Sequence, residues 1–199
     1  MKVTVVDLGL GNLGSVLQAL SRAGGDPQLS SRPQEIARAP RVVLPGVAAF
    51  GLGMERGARF KPALQEALKR GAPVLGICLG MQILFEEGEE DGVQPGLGLL
   101  PGRVTRLPPG VQVPHIGWQR LAPTADSPLQ PAGWAYFAHS YRCEAPAEVT
   151  QAIAEHGPVR IAAVVGRGTL HGVQYHPEKS ARDGEALLRR FLALPEGPT

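Results

Sequence analysis

Ten residues, Pro73 to Gln82 (PVLGICLGMQ), constrain the fold more tightly than any other part of the chain. An apolar run ends in Gly76-Ile77-Cys78-Leu79-Gly80, and an amphipathic pattern begins directly after it. A strand that turns at once into a helix brings two stretches of backbone close together, so small residues must flank the turn. Such an elbow lifts its central residue out of the sheet, and the amides of the helix start favour the thiolate form of a cysteine placed there. A buried, inert core cysteine is the competing reading, because that is where most free thiols reside. The glycines on both sides, with a strand before and a helix after, favour the nucleophile.

The first half of the chain repeats this strand-then-helix rhythm. Strands are expected at residues 2–7, 27–29, 41–44 and 73–77, and helices at 12–23, 62–70 and 79–87. This alternation specifies an α/β fold with a mostly parallel central sheet flanked by helices. The second half is strand-rich, with short strands expected at 102–107, 134–143, 150–156, 159–168 and 170–177. Turn residues at 108–110 and the loop 122–133 separate them. A last helix at 182–194 carries apolar residues at Ala186, Leu187, Phe191 and Leu194. At 199 residues a single domain spanning 1–199 is expected.

The 20 basic and 18 acidic residues are interspersed, giving a net charge of +2, and form no basic block. Nucleic acid is therefore not an expected partner. No apolar run approaches the roughly 20 residues that cross a bilayer, and the N-terminus lacks the pattern of a signal peptide. A cytoplasmic protein is expected, in which Cys78 and Cys143 stay reduced. No C-x-x-C pair or histidine spacing suggests a metal, and no cofactor is expected.

Gly9, Gly11 and Gly14 follow the first strand with the G-x-G-x-x-G spacing of dinucleotide-binding folds. The expected second strand, however, ends in Ser30 and Ser31, without the acid that would hold a ribose. Asp7 would also repel a pyrophosphate from the helix start. A tight turn packed against its neighbours is the favoured reading.

A thiolate that attacks a carbonyl needs a base, and His176-Pro177-Glu178 offers one with a partner. Pro177 biases His176 toward extended backbone, where residues two apart face the same side, so Glu178 is expected to orient the imidazole. Taken alone, His-Pro-Glu is more often a surface turn. His171 should face away from His176, and His156 falls in a Gly-Pro turn. The oxyanion of a tetrahedral intermediate needs donors: the N–H of Leu79 after the nucleophile, and a second from the loop after the third strand, where Gly46 permits close approach.

Together, Gly76 to Gln82 and His176-Pro177-Glu178 resemble the class I, or triad, glutamine amidotransferases, over essentially the whole chain. The stretches DLGLGNLGSV, LPGVAAFG, CLGMQILFEEGEE, GLGLLPG, PHIGWQ and YFAHSYRC are similar to the branch of that family that serves imidazole glycerol phosphate synthase in histidine biosynthesis. The glycine-rich turn after the first strand belongs to that pattern. The resemblance implies that Cys78 is the nucleophile, His176 the acid and base, and Glu178 the orienting carboxylate. It implies a glutamine site at Gly46, Gln82, Glu90, Ser140 and Tyr141, and oxyanion donors at Leu79 and Val47. It further implies hydrolysis of glutamine through a thioester, with ammonia passed to a separate (β/α)8 barrel synthase subunit in a heterodimer. Trp118, Tyr136 and Lys179 match the interface positions. Two positions depart from the pattern: Leu8 stands where an aromatic is usual, and Gln119 replaces the asparagine usual after Gly117-Trp118.

Overall fold

The structure, a computed structural model, describes residues 1–196. Its centre is an eight-stranded sheet whose innermost strands are apolar because both faces are covered. From one edge inward run β2 (Asp26–Ser30), β1 (Lys2–Val6), β3 (Val42–Gly46) and β4 (Val74–Cys78). The strand Leu170–Val173 follows, then Val159–Arg167, Thr150–His156 and Ala122–Pro123. Pairing is parallel from β2 through to Leu170–Val173 and antiparallel beyond it. Every residue of β3 and β4 is buried, and their register sets Gly46 beside Cys78 at the strand ends. Pro27 is tolerated because β2 is an edge strand.

Helices cover both faces. α1 (Leu13–Arg22) starts at Asn12, whose Oδ1 accepts the Ser15 N–H at 3.2 Å. α1 and the C-terminal helix Ala181–Ala193 pack Val16, Leu20, Leu187, Leu188 and Phe191 into one core. α2 (Pro33–Arg38), α3 (Phe50–Gly57) and α4 (Lys61–Lys69) bury Ile36, Phe50 and Leu64 in a second core. Neither α2 nor α3 is expected from the sequence. α2 has six residues and one buried apolar position, and α3 contains three glycines, so neither carries a strong periodic signal.

Three other expectations are corrected. The helix expected at 79–87 is a single turn, α5 (Leu79–Gln82). It goes no further because the carbonyls of residues 83–85, which a longer helix would use, are claimed by the loop after residue 95: Leu97 N–H donates to Ile83 O at 2.8 Å, Leu99 N–H to Leu84 O at 2.8 Å and Gly98 N–H to Phe85 O at 2.9 Å. The strand expected at 134–143 is two strands in different small sheets. Trp134–His139 pairs with His115–Arg120, and Tyr141–Glu144 pairs with Arg103–Arg106, so Ser140 marks the crossing. β3 also continues through Gly46, which is a strand residue rather than part of the following loop.

The glycine-rich turn after β1 is a structural device. Gly9 and Gly11 have φ of 68° and 89°, and Asp7 Oδ1 accepts the Gly9 N–H at 2.8 Å. A Cβ on Gly11 would lie 3.2 Å from Val47 N, so this turn supports the segment that leaves β3.

Candidate active site

The nucleophile position is set by backbone geometry at the end of β4. Cys78 adopts φ 53° and ψ −111°, an arrangement that costs an L-residue about 1–3 kcal/mol and is found where function requires it. The flanking glycines keep negative φ; they are needed for space. A Cβ on Gly80 would collide with the Leu44 carbonyl, and one on Gly76 would lie 2.7 Å from the Gly80 carbonyl oxygen. Close packing of β3, β4 and α5 therefore holds the strained cysteine in place. Leu79 begins α5, so its N–H is one of the first-turn amides that lack a partner within the helix.

His176 arrives from the neighbouring strand, Leu170–Val173. Its N–H donates to Tyr136 O at 2.9 Å, and its carbonyl accepts the Ser180 hydroxyl at 2.6 Å. Its backbone is extended, as Pro177 requires, but Pro177–Lys179 then form a 3-10 turn. That turn, and not strand alternation, brings Glu178 Oε1 to 2.8 Å from His176 Nδ1. Both side chains are buried, 4% and 5% exposed. The carboxylate accepts, so Nδ1 carries the proton and Nε2 is left for the sulfur. Burial works against a charged imidazole here, but hydrogen bonds to Cys78 and then Glu178, with the charges of both, outweigh it and push the pKa of His176 up to about 10.

Cys78 opens onto a cavity of about 350 Å³ lined by Val47, Leu79, Gln82, Glu90, Ser140 and Tyr141, among others. These are the residues the sequence assigns to the glutamine site and oxyanion, with one exception. Gly46 borders instead a void of about 10 Å³ shared with Gly11, His176 and Glu178, and a Cβ there would press on Leu79 at 3.1 Å. Glu90 also caps a helix, since its Oε2 accepts the Phe50 N–H at 2.6 Å at the start of α3, where a negative charge is favoured. Gln82 Nε2 donates to the Tyr141 carbonyl at 3.0 Å, which fixes the segment Ser140-Tyr141 against α5.

Sequence reasoning missed a histidine cluster beneath this cavity. His139 lines it, and its Nδ1 donates to the same Tyr141 carbonyl at 2.8 Å. A carbonyl only accepts, so His139 Nε2 is bare and takes the proton of His115 Nδ1 at 3.0 Å. The His115 ring stacks on His156 at 4.0 Å and on Phe137 at 5.0 Å. Burial drives both imidazoles toward neutrality, His139 to about 3 and His115 to about 4. His156 donates through Nε2 to Gln112 O at 2.7 Å; it is not a free turn residue. His171 is buried, its pKa lowered by burial to about 4, and it makes no hydrogen bond to His176. Among the described residues, no group of three or more His, Cys, Asp or Glu is placed to hold a metal ion. No helix there is long and apolar enough to cross a membrane.

The three expected interface residues come together on the surface. The Trp118 ring meets Tyr136 edge-on at 5.9 Å, and Lys179 Nζ lies 5.8 Å from the Tyr136 ring centre. Ile116 and Val47, exposed at 57% and 55%, line the cavity, and Trp118, exposed at 46%, lies two residues along the same strand as Ile116. The cluster is wired to the dyad, since Tyr136 O holds His176 N–H and Lys179 follows Glu178.

The family model for class I glutamine amidotransferases matches residues 4–194. The chain is 48% identical over 198 residues to the imidazole glycerol phosphate synthase subunit HisH of Symbiobacterium thermophilum, covering 96% of this chain and 92% of that one. It is 44% identical over 204 residues to the subunit of the same name from Thermosynechococcus vestitus, covering 96% of each. Among solved structures, PurLQS from Thermotoga maritima superposes with a TM-score of 0.75 at 19% identity, over 96% of this chain and 97% of that chain, which supports the fold alone.

Proposed function

Since the chain belongs to the class I glutamine amidotransferases, and within them to the glutaminase subunits of imidazole glycerol phosphate synthase, we propose that Cys78, His176 and Glu178 carry out its glutamine hydrolysis and that the ammonia passes to a separate (β/α)8 barrel subunit. The observation that carries this reading is the buried His176–Glu178 pair, 2.8 Å apart, set against a cysteine at a strained elbow that faces a cavity of about 350 Å³.

The chemistry follows from the geometry. Cys78 Sγ attacks the side-chain amide carbon of glutamine, and the carbonyl oxygen takes up the negative charge beside the N–H groups of Leu79 and Val47. His176, protonated at neutral pH by the causes given above, hands its proton to the departing nitrogen. The C–N bond breaks, ammonia leaves, and a γ-glutamyl thioester remains. The imidazole then accepts a proton from water, whose oxygen attacks the thioester; the C–S bond breaks, the electron pair returns to sulfur, and glutamate departs. Glu178 holds the imidazole with Nε2 toward the sulfur throughout. Gln82, Glu90, Ser140 and Tyr141 hold the substrate, and Gly46 acts indirectly, by letting β3 pack on Leu79.

The whole chain acts as one glutaminase domain in the cytoplasm and is a poor catalyst alone. The barrel docks on Trp118, Tyr136 and Lys179, and the contact reaches the dyad through the Tyr136–His176 backbone bond and the Lys179–Glu178 linkage. The segment Pro45-Gly46-Val47 adjusts to complete the oxyanion site. A coupling of about 1–3 kcal/mol raises turnover roughly 5- to 150-fold. Glutamate release is measured for the chain alone, with the barrel subunit, and with the barrel plus a ligand in its site. Full activity in the isolated chain overturns the gating; absence of glutamate under all three conditions overturns the assignment of these residues.

A further inference from the structure

We propose that Gln174 is a further catalytic residue of this site: its side-chain amide donates to Cys78 Sγ and stabilises the thiolate, and its orientation is dictated by Gln82, which is itself oriented by the Tyr141 carbonyl. The proposal rests on the reading of Cys78 as the nucleophile. Gln174 is fully buried, at 0% exposure, directly after the strand Leu170–Val173 and two residues before His176. Its Nε2 lies 3.9 Å from Cys78 Sγ.

A glutamine amide can face either way, so what matters is which end meets the sulfur. The Tyr141 carbonyl can only accept; Gln82 must therefore turn its NH2 group toward it, at 3.0 Å. The same Gln82 Nε2 lies 3.2 Å from Gln174 Oε1 and supplies its second hydrogen there. With its oxygen so engaged, Gln174 has only its NH2 group left for Cys78. The Cys143 thiol lies 4.0 Å from the same Oε1, and burial raises its pKa, so it stays protonated and is a donor too. His139 also donates to Tyr141 O, so that carbonyl is held by two donors. The bond from Gln82 to the Tyr141 carbonyl fixes which end of Gln82 faces inward, and from Gln82 the donors then run one way, to Gln174 and on to the reacting atom, Cys78 Sγ.

A donor to sulfur acts twice in a thioester cycle. It favours the ionised nucleophile at rest, and it receives the negative charge when water expels Sγ from the γ-glutamyl thioester. At that moment His176 Nε2 is also taking the proton of water, so a second donor to Sγ shares the charge.

The test uses the full chain with Cys143→Ala, which leaves Cys78 as the single cysteine, and measures alkylation by iodoacetamide against pH without glutamine. With Gln174→Met the rate at pH 7 is expected to fall about 10- to 150-fold, the loss of one hydrogen bond to a charged group, while the limiting rate at high pH stays the same. Gln174→Asn, one methylene shorter and still an amide, should lose a similar factor, and guards against misfolding of the methionine variant. Unchanged rates at pH 7 in either folded variant overturn the proposal, as does an equal loss at both pH extremes, which indicates damaged access rather than lost stabilisation of the anion. The outcome is separable from the site assignment: if Cys78 in the Cys143→Ala chain reacts no faster at pH 7 than a simple thiol, the nucleophile assignment itself fails.

Discussion

Removing the carboxylate of Glu178 should slow glutamine hydrolysis far less than removing the imidazole of His176, and should move its pH dependence in a defined direction. Glu178 Oε1 accepts from His176 Nδ1 at 2.8 Å, and both groups are shielded from water, so the bond is charge-assisted and little screened. Losing a hydrogen bond to a charged group costs about 1.5–3 kcal/mol, which corresponds to roughly 10- to 150-fold in rate. The same loss, at about 1.36 kcal/mol per pH unit, lowers the His176 pKa by about one to two. The anion favours the imidazolium, so its removal lets the proton leave at lower pH. Starting from about 10, the group stays protonated at pH 7 in Glu178→Ala because Cys78 still supports it. His176→Ala deletes the proton carrier beside the sulfur and should cost about 100- to 10,000-fold. Steady-state glutamate release is followed from about pH 6 to 10 for both variants with the partner present, a range that spans the ordinary and the raised imidazole pKa. The alkaline limb of Glu178→Ala should shift to lower pH. Equal losses in two folded variants, or an unmoved alkaline limb, would refute the division of labour.

Two further outcomes follow from buried groups. Gly80→Ala places a methyl against the Leu44 carbonyl, a backbone atom that cannot turn aside; urea unfolding should show a loss of about 1–3 kcal/mol or more, with glutaminase activity falling further as the elbow shifts. The buried histidines set the acid limb of stability: His115, His139 and His171 titrate near 4, 3 and 4 in the fold but near 6.5 when unfolded. The unfolded chain thus binds more protons between those values, so stability is constant above about pH 7 on their account and falls as pH drops toward 4, by at most about 4 kcal/mol per unit. His176 behaves oppositely. Its raised pKa contributes stability that is complete below pH 6.5 and lost as pH rises toward 10. Urea midpoints at about pH 5, 7 and 9, with the m value unchanged, check both signs.

The elbow was legible in the sequence because close backbone packing is written as missing side chains. Gly76 and Gly80 flank Cys78 for lack of room, and no other residue type serves there. His176-Pro177-Glu178 was legible as a pair, though the 3-10 turn that joins them was not, because a proline specifies the residue before it more firmly than those after. The floor of the cavity was hidden. It depends on the chain switching sheets at Ser140, which frees the Tyr141 carbonyl to collect Gln82 and His139, and a continuous β-prone run such as WAYFAHSYRC gives no local sign of that break. The histidine cluster draws on residues 115, 139 and 156, which sequence spacing cannot relate. Gln174 had a usable signal, since it shares the two-residue strand spacing with His176. The early end of α5 is a tertiary effect, imposed by amides of residues 97–99 that claim the carbonyls of residues 83–85, just beyond its last turn.

The central claim is that Cys78 is the residue that bonds to glutamine. A glutamine-shaped chloroketone, which alkylates the thiolate that would otherwise attack the amide, tests it most directly when followed by peptide mass mapping. The chain, mixed with its partner subunit, should take up one equivalent on Cys78, lose glutamine hydrolysis in step with labelling, and be protected by excess glutamine. Cys143, fully buried and with its thiol held in the neutral form, should remain unlabelled. Label on Cys143, or continued hydrolysis after complete labelling of Cys78, would contradict the account.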